Sequence, residues 1–175
     1  MKKEIICAGF GGQGILLAGK FLAFCAMKEN KYSTWMSSYG AEVRGGTAYS
    51  MTIISDESIP SPVVNSADGI IVMNEPSFRK FKPRVKQDGL LIVNSSLVKN
   101  IPKSKKIIKF PFTDIAVSLG NVKVANMVAV GAYLKKTKVL SIQTALKAIE
   151  EFVNDKKLVV LNKLAILKGA SLIKG

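Results

Sequence analysis

Ile5-Ile6-Cys7-Ala8-Gly9-Phe10-Gly11-Gly12-Gln13-Gly14-Ile15-Leu16-Leu17-Ala18-Gly19 joins two apolar runs through a glycine-rich turn. The first run, Glu4 to Ala8, has strand length and ends at a glycine. The second, Ile15 to Lys28, holds strong helix formers with apolar residues around much of the circumference. The stretch therefore reads as strand, tight turn and buried helix. Gly9-Phe10-Gly11-Gly12-Gln13-Gly14 fits the spacing G-x-G-x-x-G. Such a turn suits an anion, because glycines let the backbone approach a phosphate while the helix start offers free N–H donors and partial positive charge. Glycines at a strand–helix turn also permit close packing with no ligand, so the pattern alone leaves both readings open.

Outward from this unit, Tyr32 to Met36 and Thr47 to Ile54 are strand candidates rich in β-branched and aromatic residues. Ile70 to Met73 and Leu90 to Val93 are uninterrupted apolar runs, as in strands covered on both faces. Between them, Pro76 stands where a first helical turn tolerates it. A helix is expected through Lys86, stopped by Asp88-Gly89. Ile107 to Phe110 adds a strand, nearer an edge because of its lysine. Three helical stretches follow: Val122 to Lys136, Ser141 to Phe152 with Ser141 as N-cap, and Leu158 to Ile173. Alternating strands and helices with a helical C-terminal part predict an α/β fold, a three-layer α/β/α domain with a mostly parallel central sheet. Residues 1–175 read as a single domain, with no repeat or linker.

The glycine turn invites a dinucleotide-binding reading, which requires an acidic residue at the end of the second strand to hold a ribose hydroxyl. That acid is missing: Glu29 precedes the strand, whose far end reads Trp35-Met36-Ser37-Ser38. A nucleotide P-loop fails too, since no Gly-Lys-Ser/Thr follows the glycines. The second constellation is Ser37-Ser38-Tyr39-Gly40-Ala41-Glu42-Val43-Arg44-Gly45-Gly46. There Glu42 can orient Arg44, whose guanidinium offers a fork to phosphate or carboxylate. This loop is expected at the same sheet edge as the first glycine turn.

Composition narrows the chemistry. Two cysteines, each inside an apolar segment, suit small buried hydrophobes in a reducing compartment, and they cannot supply the ligands of a cubane cluster. Histidine is absent, which removes the usual general base near neutral pH. No residue is expected to be catalytic and none to bind metal. No apolar run approaches the ~18 residues of a membrane span, and the glycines interrupt the N-terminal run too early for a secretory signal. A cytoplasmic protein without membrane contact is expected. The net charge of +14 favours anionic ligands or acidic partners. A basic nucleic-acid-binding module is the competing reading, but the lysines are scattered rather than gathered in a stripe with stacking aromatics.

Gly-Phe-Gly-Gly-Gln-Gly with Ala-Gly in the following helix, Ser-Tyr-Gly-Ala-Glu-Val-Arg-Gly-Gly, Ile-Ser-Asp-Glu-Ser-Ile-Pro-Ser-Pro-Val-Val and Leu-Ile-Val-Asn-Ser-Ser occur in this order. With a fainter continuation at Asn126 to Ala132, they resemble the gamma subunits of 2-oxoacid:ferredoxin oxidoreductases. The resemblance implies a Rossmann-like domain within an enzyme that decarboxylates a 2-oxoacid, reduces ferredoxin and forms acyl-coenzyme A. It implies no cofactor in this chain, coenzyme A as cosubstrate, and thiamine diphosphate, magnesium and iron–sulfur clusters on partner subunits. Those partners would be alpha, beta and in some complexes delta subunits, with ferredoxin contacted indirectly and a homodimer conceivable for the isolated chain. Carried over by residue, Gly9, Gly11, Gly12, Gln13 and Gly14 would shape the turn. Ser38, Tyr39, Gly40, Glu42, Arg44, Gly45 and Gly46 would form the facing loop, Asn94, Ser95 and Ser96 a third wall, and Asn126 a weaker addition. The family often has proline where Ala41 stands. The Trp-x-x-Ser-Tyr-Gly-x-Glu-x-Arg-Gly-Gly form leans toward 2-oxoglutarate and branched-chain members over pyruvate ones.

Overall fold

The computed structural model describes residues 1–38 and 47–174. A six-stranded sheet of order β2-β3-β1-β4-β5-β6 forms its centre. The strands are β1 Lys2–Gly9, β2 Tyr32–Ser38, β3 Ala48–Ser55, β4 Ala67–Val72, β5 Val85–Asn94 and β6 Ile107–Phe110. β1 pairs in parallel with β4, β4 with β5 and β5 with β6, whereas β3 runs antiparallel between β1 and β2. The sheet is thus mostly parallel, and β6 lies at an edge as its lysine suggests.

Burial on both faces explains the uninterrupted apolar runs. Ile5, Cys7, Ile71 and Ile92 point to one face, against helices α1 Ile15–Lys28 and α4 Ala125–Thr137. Ile6, Ala8, Ile70, Val72 and Val93 point to the other, against Phe78 and Phe81 of α2 Glu75–Phe81. The first helical layer is the thicker one. Helix α3 Phe112–Ser118 joins it beside α4, and α5 Ile142–Phe152 and α6 Lys156–Ser171 complete it. Ser141 caps α5 by accepting from the N–H groups of Gln143 and Thr144. Asp155 does the same for α6 with Lys157 and Leu158. Cys7 and Cys25 are buried in the core, and burial pushes both thiols up to about 12. Among the described residues no helix is long and apolar enough to cross a membrane.

One element departs from the pattern. The helix expected through Lys86 ends at Phe81, a single 3-10 turn covers Lys82–Arg84, and β5 starts at Val85. Pro83 has no N–H to continue the ladder. The Arg84 guanidinium donates to the carbonyls of Val64 and Asn65, which draws the chain beside β4. Asp88-Gly89 does not stop a helix: the register jumps from Ala67↔Val85 to Gly69↔Leu90, and the two residues lie in the resulting bulge.

Lys86 fixes that entry electrostatically. Its ammonium stands 2.7 Å from a Glu4 carboxylate oxygen and 2.8 Å from one of Asp68, tying β1, β4 and β5 together. Burial disfavours ionised Glu4 and Asp68, yet hydrogen bonds from Lys86 outweigh it and hold both carboxyls below their usual range. The same pairing holds Lys86 above its own, against burial. The depressed carboxyls give stability that is present above their unfolded values of about 4 and lost as pH falls through the lower folded ones. The raised lysine gives stability that is present below about 10 and lost as pH rises through its folded value. Lys86→Met should therefore cost stability near pH 7. Lys86 is 38% exposed, so solvent screening keeps the loss to about 1 kcal/mol, roughly 2–4 °C in Tm. The gap between the two proteins should close as pH drops below about 4; thermal melts from pH 3 to 8 check it.

Candidate functional site

The glycine turn closes on itself through one side chain. Gln13 accepts from the Phe10 N–H at 2.7 Å and from the Asn74 amide at 3.3 Å, and its own amide donates to the Met73 carbonyl at 3.5 Å. The Gln13 N–H in turn reaches the Phe10 carbonyl at 3.2 Å. Gln13 is therefore a rivet joining the turn to the ends of β4 and α2, with its polar atoms used internally.

Gly14 is the N-cap of α1 in the left-handed region, at φ 68°. A side chain is excluded there twice over: by that conformation, and by the Asn126 amide nitrogen 2.5 Å from where a Cβ would stand. Asn126, buried in the first turn of α4, donates to the Gly14 carbonyl at 2.9 Å. A helix at the far end of the sequence thus locks the start of the first one. The Gly14 carbonyl also takes the Ala18 N–H, the first bond of the helical ladder. The N–H groups of Ile15, Leu16 and Leu17 precede that ladder. Gly14 has no side chain to cap them, and no acidic residue stands in the first turn. Among the described residues, backbone donors and the positive end of the helix dipole are left open together.

These donors face a cleft of about 390 Å³. Phe10, Gly11, Gly12 and Gly14 form its floor, Leu17 and Lys20 come from α1, and Trp35 and Ala48 come from β2 and β3. Phe10, Leu17 and Trp35 are exposed around it, an apolar and aromatic rim beside a lysine and a set of backbone N–H groups. Such a pocket has the chemistry for an anionic group carried on an aromatic or apolar body.

Register places the second constellation's anchors at the same rim. Gly9 pairs with Ala48, and Ser38 pairs with Tyr49, so the ends of β2 and β3 that anchor the second constellation stand beside the glycine turn. Thr47, just before β3, accepts from the Lys80 ammonium at 3.1 Å. Tyr39, Gly40, Glu42, Arg44, Gly45 and Gly46 lie outside the described residues.

Asn94, Ser95 and Ser96 sit at this end of the sheet too, but β4 lies between them and β1. Two strand spacings separate them from the turn, about 10 Å. They do not line the cleft. The buried Asn94 amide donates to the Met73 carbonyl at 3.1 Å and the Thr113 hydroxyl at 2.8 Å, and its oxygen accepts the Thr113 N–H. Ser95 N–H reaches the Phe110 carbonyl, and the Ser96 hydroxyl accepts from Asp114 N–H. These bonds seat α3 on β5. Met73, bonded by both Gln13 and Asn94, joins the two regions.

Sequence reasoning missed Lys20, Leu17 and Trp35 as lining residues. The available signal was a lone tryptophan on an edge strand opposite an exposed turn of α1. The carboxylate nearest a dinucleotide's acidic position, Glu29, accepts the Ser141 N–H at 2.7 Å and is occupied at the start of α5.

The family model described as pyruvate ferredoxin/flavodoxin oxidoreductase matches residues 4–172. The chain is 37% identical to the 2-oxoglutarate synthase subunit KorC of Methanocaldococcus jannaschii, over 99% of this chain and 95% of that one. It is 29% identical to the pyruvate/ketoisovalerate oxidoreductases common subunit gamma of Thermococcus kodakarensis, over 85% of each. Among solved structures it superposes with a TM-score of 0.88 and 32% identity on the keto/oxoacid ferredoxin oxidoreductase gamma subunit of Geobacter sulfurreducens, covering 98% of this chain and 95% of that one. A near full-length match in sequence and fold, with the glycine turn, its Asn126 lock and the open helix start in one frame, makes this chain a member of the pyruvate ferredoxin/flavodoxin oxidoreductase family, of the gamma-subunit type.

Proposed function

We propose that this chain works inside a multisubunit enzyme that decarboxylates a 2-oxoacid, passes the electrons to ferredoxin and transfers the acyl group to coenzyme A. Thiamine diphosphate, magnesium and iron–sulfur clusters are carried by alpha, beta and, where present, delta subunits, in the cytoplasm. Among the described residues of this chain, no group of three or more His, Cys, Asp or Glu gathers to hold a metal. The share of this chain, a single domain, is to brace its partners and to hold the carrier side of the reaction.

The observation that carries the reading is the open start of α1 above the 390 Å³ cleft. Coenzyme A combines phosphates with a flat adenine. Unspent N–H groups, the Lys20 ammonium and the faces of Phe10 and Trp35 offer one partner for each of those parts. Gly9, Gly11, Gly12 and Gly14 let the backbone close on the phosphates, Gln13 holds the turn's shape, and Arg44, oriented by Glu42, adds a guanidinium fork. Ser38, Tyr39, Gly40, Gly45 and Gly46 complete the facing loop. Asn94, Ser95 and Ser96 contribute indirectly: they seat α3 on β5, and Asn94 shares with Gln13 the Met73 carbonyl that braces the turn.

2-Oxoglutarate is the favoured substrate, from the likeness to KorC, with branched-chain oxoacids or pyruvate next. A gamma subunit named as common to pyruvate and ketoisovalerate oxidoreductases argues that substrate choice rests mainly with the partners. Reconstitution tests the proposal. The assembled complex should reduce a viologen dye with a 2-oxoacid and coenzyme A, and omission of this chain should abolish most of the coenzyme A-dependent rate. Equal rates with and without it would overturn the assignment.

A further inference from the structure

We propose that the outer face of α6 is a docking seam for an acidic, amphipathic helix of a partner subunit. The inference rests on the multisubunit reading above. Helix α6 is apolar on two opposite sides. Its inner face, with Ala165, Ile166 and Gly169 buried, is consumed by α4. On the other side Val160, Leu164 and Leu167 are 59%, 47% and 46% exposed. Spaced by four and then three residues, they fall within an arc of about 60° facing away from the core. That is the spacing of a helix–helix seam, and a solvated helix gains nothing from it. Single exposed apolar side chains are ordinary; three in one line are a contiguous patch.

The charges around the seam decide the occupant. Lys157 and Lys168 flank it on one side and Lys156 and Lys163 on the other. The nearby carboxylates are already used: Glu150 pairs with Lys163, Glu151 with Lys28 at 2.5 Å, and Asp155 caps the helix. Among the described residues no carboxylate is paired with Lys156, Lys157 or Lys168. A second copy would press two lysine rims together, and such like-charge juxtaposition is unfavourable. A bilayer calls for a broad apolar face, commonly with Trp or Phe, and this seam is narrow and aliphatic. An apolar helix stripe edged by Asp and Glu satisfies both the leucines and the lysines.

The test uses the full chain and its partner subunits. Leu164→Glu/Leu167→Glu alters only outward side chains, so the isolated variant should melt within a few degrees of wild type. Its association with the partners, followed by sedimentation, should weaken by on the order of 100-fold. Lys157→Glu/Lys168→Glu should weaken it by on the order of 10-fold and reduce its salt dependence. A check on unaltered protein is zero-length carbodiimide coupling of the wild-type complex, which should join Lys157 or Lys168 to a partner's Asp or Glu. Normal assembly of a folded leucine variant, or no such cross-link, would overturn the seam while leaving the multisubunit reading intact. Failure of the wild-type chain to join any partner would overturn that reading itself. Two further results would also reject the proposal: wild-type self-association abolished by the leucine changes, and seam-dependent binding to anionic phospholipid vesicles.

Discussion

Gly169→Ala is expected to lower the melting temperature by roughly 4–8 °C, a net loss of about 2 kcal/mol, although it replaces glycine with the best helix former. In α6 the exchange alone would add about 1 kcal/mol of stability. Against that stands a close crossing of α4 and α6. A Cβ on Gly169 would run into the backbone carbonyl oxygen of Val128 in α4, and a Cβ on Gly131 of α4 would meet the carbonyl of Ile166 in α6. Neither obstacle is a side chain that can rotate away. The helices must separate, which loosens Met127, Val128, Ala132 and Ile166 in the core between sheet and helices. Overpacking of this kind costs about 1–3 kcal/mol or more and here exceeds the propensity gain. Gly131→Ala should act likewise, and the double variant should cost less than the sum, because helices already apart meet the second methyl at a distance. Thermal melts of the three variants decide it. An unchanged or raised Tm for Gly169→Ala would mean that the crossing is looser than described.

The effect reaches the site, because α4 also carries Asn126. A shift of α4 moves the amide that holds the Gly14 carbonyl. Packing at the back of the helical layer is in this way coupled to the shape of the turn at the front.

Much of this architecture is legible in the amino-acid order. The helix read over Ile15 to Lys28 and the strand over Ile107 to Phe110 coincide with α1 and β6, because glycines or lysines bound dense apolar runs there. The cap at Ser141 was readable from residue type alone. Local signals failed where distant contacts decide. Residues after Phe81 look helical until Arg84 and Lys86 find their partners near β4, and only pairing reveals the bulge at Asp88-Gly89. Helix α3 spans Phe112–Ser118, too short for a period to emerge. At the site, the glycine turn is legible from its spacing after an apolar strand, and the nearness of the second loop's ends is legible from its place between two strands. Lys20 and Trp35 are not, because a surface lysine and an edge tryptophan gain meaning only when the sheet brings them to one cleft. Asn94 was expected as a wall of the site; its burial and the bonds that seat α3 are not visible in the residues around it.

The second large effect is expected at Gly11. Among the described residues its Cβ would meet nothing within 4 Å, so a side chain there leaves the turn, its Gln13 rivet and the Gly14 lock in place. Gly11→Ala should therefore stay within about 0.5 kcal/mol of wild-type stability. Gly11→Asp adds a carboxylate to the floor of the cleft, beside the N–H groups that the phosphates would use. Like charges placed together at a binding surface cost several kcal/mol. A penalty of about 2–3 kcal/mol corresponds to roughly 30- to 150-fold in affinity. The measurement is the KM for coenzyme A of the assembled enzyme carrying Gly11→Asp, set beside Gly11→Ala and beside oxoacid decarboxylation by the same preparation. A KM raised by that factor in the aspartate variant, with a much smaller rise in Gly11→Ala and decarboxylation kept in both, is the expected result. A KM for coenzyme A equal to wild type in a folded, assembled Gly11→Asp enzyme would show that the phosphates are held elsewhere.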